Sequence, residues 1–321
     1  MKRNRFLVIA TILSVVILIA LFLYNPDIFR RKGAVSPVTA LPESAVFFYK
    51  GKDFNTTYRQ FVATSIWKEL LNLSFVNSTD SLIKLISDKL QTNSTINDQI
   101  QNDQTIISLH QTSPGSIDPM LIMLTNGNFS YKDIDAFLKP EITGILLQRT
   151  YQGVKIYDYQ LTTRKSQAVF AITDGLFMIS PNPLLIEDAI STFKKNRSEK
   201  KYYFKSVVEK NPNASFYINY KQLNTFINIF TDPETQQKVN NLQNFGSLGS
   251  YEFTFNDEFL FLRGNISNVD SGLNFLTLFQ GQKAGKIDVQ RILSSKTSVL
   301  LTYNLNNPKL YYANLSACLS F

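Results

Sequence analysis

From Phe6 to Tyr24 the chain carries nineteen consecutive uncharged residues, among which only Thr11 and Ser14 are polar. A helix of that length covers close to 30 Å at about 1.5 Å per residue, the thickness of a bilayer's hydrocarbon core, and satisfies its own backbone hydrogen bonds in lipid. The pattern predicts a transmembrane helix at 6–24 behind a short basic segment at 1–5. Lys2, Arg3 and Arg5 precede it and Arg30, Arg31 and Lys32 follow it. That near balance gives a slight preference for a cytoplasmic N-terminus. The run is longer than a signal-peptide core of about 7 to 15 residues, and no small-x-small site directly follows. It reads as an uncleaved signal anchor at a bacterial inner membrane, single-pass, with an exported, periplasmic body. Residues 25–42, with Pro26, Pro37 and Pro42, read as a linker.

Beyond the linker, short apolar runs alternate with amphipathic ones. Residues 45–49 (AVFFY) suit a strand, and Phe61, Ile66, Trp67, Leu70 and Leu71 follow near helical spacing. Asn77 to Asp80 is read as an interruption that caps a second helix, whose Leu82, Ile83, Ile86 and Leu90 share a face. Thr92 to Asp103 is polar and reads as a loop. Strands are expected at 105–111 and 119–125, and a short helix at 131–138. Four strands then follow in succession at 145–150, 153–160, 166–173 and 176–180. Gln152-Gly153 and Asp174-Gly175 break them, the second pair suiting a type I′ turn with positive φ at both residues. Pro183 opens a helix with Leu184, Leu185, Ile186, Ala189, Ile190 and Phe193 on its apolar side. A strand at 215–220, a helix through Phe230 and a hairpin at 249–264 around Asn256-Asp257 complete the series. Antiparallel neighbours outnumber crossovers, so the expected fold class is α+β: an N-terminal transmembrane helix, then mainly antiparallel sheets with packed helices.

A strand ending in Tyr, a short turn, an Asn and a helix recur three times. The strands are Ala45–Tyr49, Ser215–Tyr220 and Ser298–Tyr303. The spacing is irregular, which excludes a solenoid. The recurrence fits two related subdomains at 43–200 and 201–321, and the resemblance among strand-to-helix junctions in general is the competing explanation. The third copy reaches Phe321 as its helix begins, so the second subdomain reads as incomplete.

The segments Pro42 to Tyr49, Tyr151 to Tyr159, Ala168 to Ser180 with Leu185 to Ile190, and Ala214 to Tyr220 resemble an uncharacterised family of bacterial, single-pass membrane-anchored proteins treated as a domain of unknown function. The resemblance spans most of residues 40 to 305. Its motifs are structural, and it implies no catalytic residues. Members of that family tend to be longer.

Charge narrows the partners. The formal charge is +8, but residues 1–32 hold six basic residues and one acidic one, which leaves 27 Lys/Arg against 24 Asp/Glu in the rest. No nucleic-acid partner is expected, because the body has no dominant basic footprint. Cys318 is the only cysteine and His110 the only histidine, so no disulfide framework, zinc site or Cys-His system is expected, and neither a cofactor nor a metal. His110 is read as a histidine at the end of a strand. Gly281 to Lys286 resembles a phosphate loop but is one residue short and continues into Ile287. Nine Asn-x-Ser/Thr sequons occur, as a chain rich in these residues produces by chance. Lys194, Lys195, Arg197, Lys200, Lys201 and Lys205 form the densest basic run. It offers contact with a polyanion or lipid, against the simpler reading of helix C-terminal cations and a solvated loop. The expectation is a non-enzymatic envelope protein, in contact with lipid through residues 6–24, that binds or scaffolds an envelope protein or polymer. The alternatives are a carboxylate-dependent envelope hydrolase, for which neither Asp133/Asp135 nor Glu187/Asp188 makes an evident pair, and the same binding role with a cytoplasmic body.

Overall fold

Antiparallel strands organise the chain. The computed structural model describes residues 35–51, 54–92, 100–125, 129–138, 147–161, 166–199, 203–239, 243–257, 259–267, 274–283, 285–286, 293–294 and 304–319. Its strands are β1 (Ala45–Gly51), β2 (Ile100–Ser113), β3 (Ser116–Thr125), β4 (Leu147–Tyr151), β5 (Val154–Leu161), β6 (Ser166–Thr173), β7 (Leu176–Ser180), β8 (Phe216–Asn219), β9 (Leu248–Phe255) and β10 (Leu260–Ser267). The helices are α1 (Phe54–Val62), α2 (Ser65–Leu70), α3 (Ser74–Thr92), α4 (Tyr131–Leu138), α5 (Pro183–Glu199), α6 (Lys205–Lys210), α7 (Tyr220–Asn228), α8 (Pro233–Val239) and α9 (Pro308–Leu319), with 3₁₀ turns at Pro37–Ala40 and Phe275–Phe279.

All ten strands belong to one sheet, ordered β10-β9-β8-β1-β2-β3-β7-β6-β5-β4, and every neighbouring pair is antiparallel. The β4–β7 meander is built from local signals. Gln152 and Gly153 have φ of 46° and 76°, and Asp174 and Gly175 have 47° and 83°, so both tight turns place two residues in the left-handed region that matches strand twist. In the middle of the sheet, β1 pairs with β8, Phe47 opposite Ile218.

Opposed residues of antiparallel strands share a face, so the register sorts the core into two layers. On one face Leu121, Met123, Tyr157, Phe170, Phe177 and Ile179 pack under Leu82, Ile83, Ile86 and Leu90 of α3 and Ile134 of α4. Phe226 of α7 meets Phe47 edge-on at 4.9 Å on the same face. On the other face Met120, Ile122, Ala171 and Met178 are fully buried beneath α5 and the Pro37–Ala40 turn. There Phe48 stacks on Tyr217 at 4.4 Å and meets Phe204 at 5.0 Å. The result is a sheet between two helical layers.

Three expectations are corrected. The fold is α+β, but with a single ten-stranded sheet in place of several sheets and two subdomains: β1 and β8, from either side of residue 200, are hydrogen-bonded neighbours. The transmembrane helix in the expected fold class is corrected as well. Among the described residues no helix is long and apolar enough to cross a membrane. The longest, α3, carries Asp80, Lys84, Asp88 and Lys89; the run at 6–24 on which that expectation stood lies outside the described residues. Asn77 to Asp80 does not interrupt a helix either, because α3 begins at Ser74 and runs through it. Asp80 accepts hydrogen bonds from Tyr58 Oη at 2.7 Å and Trp67 Nε1 at 3.2 Å, so tertiary bonds engage this polar residue within the helix.

Candidate binding cleft

A cleft of about 310 Å³ opens where the two tight turns of the meander face the start of α4. Its walls include Ser130, Tyr131, Gly153, Lys155, Tyr157 and Thr173. Ser130 precedes α4 and is tied to it in the manner of a capping box: the Asp133 carboxylate accepts from the Ser130 backbone N–H at 2.8 Å and from its hydroxyl at 2.5 Å. This fixes the first turn of the helix, and with it Tyr131. The Tyr131 ring lies on Tyr157 at 4.1 Å and 12°, and Tyr157 in turn stacks on Phe170 at 5.3 Å. Tyr131 and Tyr159 share a hydrogen bond between their hydroxyls at 3.1 Å. Burial, and then the neighbouring Tyr131, push the Tyr157 phenol above its ordinary range. The cleft thus has an aromatic wall locked by stacking and a rim of two hydroxyls and one ammonium. That set places hydrogen-bonding groups and one positive charge beside an aromatic face.

The basic run braces this cleft from behind. Lys194 Nζ donates to the backbone carbonyl of Gln152, and Arg197 donates to Asp174 Oδ2 at 2.5 Å while its guanidinium lies 5.9 Å over the Phe193 ring. Two of the predicted contact residues therefore hold the two turns, Gln152-Gly153 and Asp174-Gly175, beside the cleft. Lys195 is exposed, Lys200 and Lys201 lie outside the described residues, and Lys205 begins α6.

Further along α5, Glu187 and Ser191 face β4. Arg149 donates to Glu187, and Tyr151 and Gln152 each hydrogen-bond Ser191 Oγ, at 3.1 and 2.9 Å. Arg149 also lies 3.6 Å from Asp158. Asp158 and Glu187 are carboxylates that the fold brings to one cation, Arg149; the sequence pairs Glu187 only with its neighbour Asp188 and gives Asp158 no partner. They come from β5 and α5, so no spacing rule links them. Glu187 and Asp188 are adjacent, and burial followed by the charge of Glu187 raises the Asp188 carboxyl.

His110 lies inside β2, not at its end, and is completely buried. Its Nδ1 shares a hydrogen bond with Ser44 Oγ at 3.0 Å and its Nε2 with Ser108 Oγ at 2.8 Å. Burial pushes the imidazole down to about 3. No group of three or more His, Cys, Asp or Glu close enough to hold a metal ion occurs among the described residues.

Residues 136–284 match a family of unknown function. It is described as protein of unknown function (DUF3352). The matched stretch is a little under half of the chain. It contains the β4–β7 meander, α5 with its bracing cations, and β8 to β10. Ser130 and Tyr131 fall just before it. No curated protein and no solved structure matches the chain.

Proposed function

We propose that this is a non-enzymatic envelope protein, held at the bacterial inner membrane with its body exported, whose body binds or scaffolds another envelope component at the Tyr131–Lys155 cleft. One observation carries the binding part: the cleft presents a stacked tyrosine wall, the Ser130 and Thr173 hydroxyls and the Lys155 ammonium on a frame whose two turns are pinned by Lys194 and Arg197. Preformed, mostly apolar concavities with a few fixed polar groups are what ligand sites generally look like. What supports the location is the sequence, with its uncharged run at 6–24 between two basic clusters. The test is co-sedimentation of the full chain in detergent with isolated cell-wall polymer. Lys155→Glu is expected to cut retention at least tenfold, and equal retention of the two proteins would remove the cleft from the reading.

A second reading, a carboxylate-dependent hydrolase, is favoured by the convergence of Asp158 and Glu187. Arg149 stands between them and engages both, an arrangement that suits an ion triad joining α5 to the meander. Release of soluble fragments from the polymer, abolished by Glu187→Gln, would establish the hydrolase instead.

A further inference from the structure

Arg149, Arg197 and Lys194 all have partners: Glu187, Asp174 and the Gln152 carbonyl. Arg263 of β10 does not. It stands directly opposite Glu252 of β9, a cross-strand position at which opposite charges attract. Among the described residues, however, neither side chain enters an ion pair or a hydrogen bond, and both are exposed. The register puts this pair on the sheet face that also carries Ser250 and Tyr217. On that face Phe48 stacks on Tyr217 and meets Phe204, the residue just before α6. The end of α6 and the loop after it therefore stand over the two charges. A cavity of about 190 Å³ opens between that loop and the β9–β10 ribbon, lined among others by Lys210, Asn213, Glu252, Arg263 and Asn265. Lys210, the last residue of α6, is exposed and also forms no ion pair among the described residues.

Both walls of the cavity are fixed. Asn211 closes α6 twice over, its backbone N–H and its Nδ2 donating to the Val207 carbonyl at 3.2 and 3.0 Å. Ala214 N–H donates to the Asn211 carbonyl at 3.1 Å, and the Tyr217 hydroxyl donates to the Ala214 carbonyl at 3.1 Å. Ser215 N–H donates to the Tyr251 carbonyl at 2.9 Å. The loop is thus tied to its helix at one end and to the sheet at the other. Across the cavity β9 and β10 pair without a break from Leu260 to Ser267, and Ser250 Oγ donates to the Asn265 carbonyl at 3.3 Å. A ligand entering here meets backbone already in position, which lowers the ordering cost of binding.

The charges dictate what that ligand carries. A simple anion would be drawn by Lys210 and Arg263 and repelled by Glu252, and a simple amine the reverse. A molecule bearing both charges satisfies all three. The Arg263 fork takes a carboxylate in two parallel hydrogen bonds, with the Lys210 ammonium as a second charge. Glu252 accepts from an ammonium, and the amides of Asn213 and Asn265 are left for the groups between. The volume equals about six water molecules at about 30 Å³ each, the scale of one or two amino-acid residues. We propose that this cavity binds a small zwitterion of the amino-acid or dipeptide class, with Arg263 and Lys210 on its carboxylate and Glu252 on its ammonium. The site lies toward the opposite end of the sheet from the Tyr131–Lys155 cleft and, among the described residues, shares no lining residue with it, so the two stand or fall separately.

Saturation-transfer NMR on the full chain in detergent tests this with L-alanine, L-alanyl-L-alanine, the N-acetyl and C-terminal amide forms of that dipeptide, and inorganic phosphate. Exposed charges set the expected affinity near about 1 mM. Saturable binding of L-alanine or the dipeptide is expected, the tighter of the two giving the ligand's length, and removal of either terminal charge is expected to weaken the dipeptide at least tenfold. Arg263→Gln is expected to weaken the zwitterion at least tenfold. Glu252→Gln is expected to weaken it at least fivefold while phosphate binds equally or more tightly. The ligand series on the native chain decides the matter even where a variant fails to fold. No saturable binding of either zwitterion at about 10 mM would overturn the site. Phosphate or the N-acetyl dipeptide binding as tightly as the zwitterion would overturn its assignment and mark a plain anion site.

Discussion

His110 Nδ1 shares a hydrogen bond with Ser44 Oγ at 3.0 Å, joining the completely buried imidazole of β2 to the residue just before β1. With Ser108 on the other ring nitrogen, the imidazole has two neutral partners and no carboxylate bonded to it. Its proton affinity is therefore set by burial, which pushes it down to about 3.

The sign follows from linkage. The unfolded chain binds a proton at His110 near pH 6.5 and the folded chain only near 3, so stability is full above 6.5 and falls as pH drops toward 3. The slope is about 1.4 kcal/mol per pH unit in that window. Urea denaturation at pH 7, 5 and 4 is expected to show this loss in the native protein and a shallower one in His110→Gln. Parallel profiles would show that His110 contributes nothing to it.

Gly175 sits at φ +83° in the β6–β7 turn, where its carbonyl accepts from Thr125 N at 2.7 Å. Gly175→Ala forces a side chain into the left-handed region and is expected to cost about 1–2 kcal/mol. A lower denaturation midpoint with an unchanged slope is the expected result. An unmoved midpoint would mean the turn relaxes without strain.

Arg149 is bonded by Glu187 and lies near Asp158, with about a third of its side chain exposed. Arg149→Met leaves two carboxylates without their cation and is expected to lower stability by about 1 kcal/mol, the exposure limiting the effect. Adding Glu187→Gln to it is expected to recover part of the loss, measured as a double-mutant cycle. Strict additivity would exclude an ion triad.

Asn182 accepts from Leu184 N at 3.0 Å at the start of α5 and donates to Asp118 Oδ2 at 2.7 Å, so one side chain serves as cap and as tie to β3. Asn182→Ala is expected to cost about 1–2 kcal/mol, whereas Asn182→Asp keeps the cap but sets a second charge against Asp118. Calorimetry should rank the two below the native protein, and a native-like melting temperature in Asn182→Ala would show that neither bond matters.

The meander was legible because its information is local: alternation of apolar residues and two turn dipeptides fix β4 to β7 within a few residues each. The helix at Tyr131–Leu138 was legible for the same reason. The start of α3 was misread because Asn77 to Asp80 looks like a break unless Tyr58 and Trp67 are known to bond Asp80. The single sheet was not legible, since nothing local tells β1 to lie beside β8. Within the candidate site, Lys194 and Arg197 stood out as a charge run, but their bracing of Gln152 and Asp174 depends on α5 lying across two hairpins. Tyr131 gave no signal beyond its place at a helix start. The Asp158–Arg149–Glu187 meeting joins three elements that no periodicity connects.

The pairing of Phe47 with Ile218 sets a schedule on folding. The β4–β7 meander can close from contiguous sequence as it emerges, whereas β1, although early in the chain, keeps one side unpaired until residues 216–219 arrive. A ribosome that delivers this polypeptide from its N-terminus therefore releases a half-built sheet whose central seam is joined late. Contacts so far apart in sequence carry a larger loop-closure cost than the local hairpins do, and that cost falls on the β1–β8 seam.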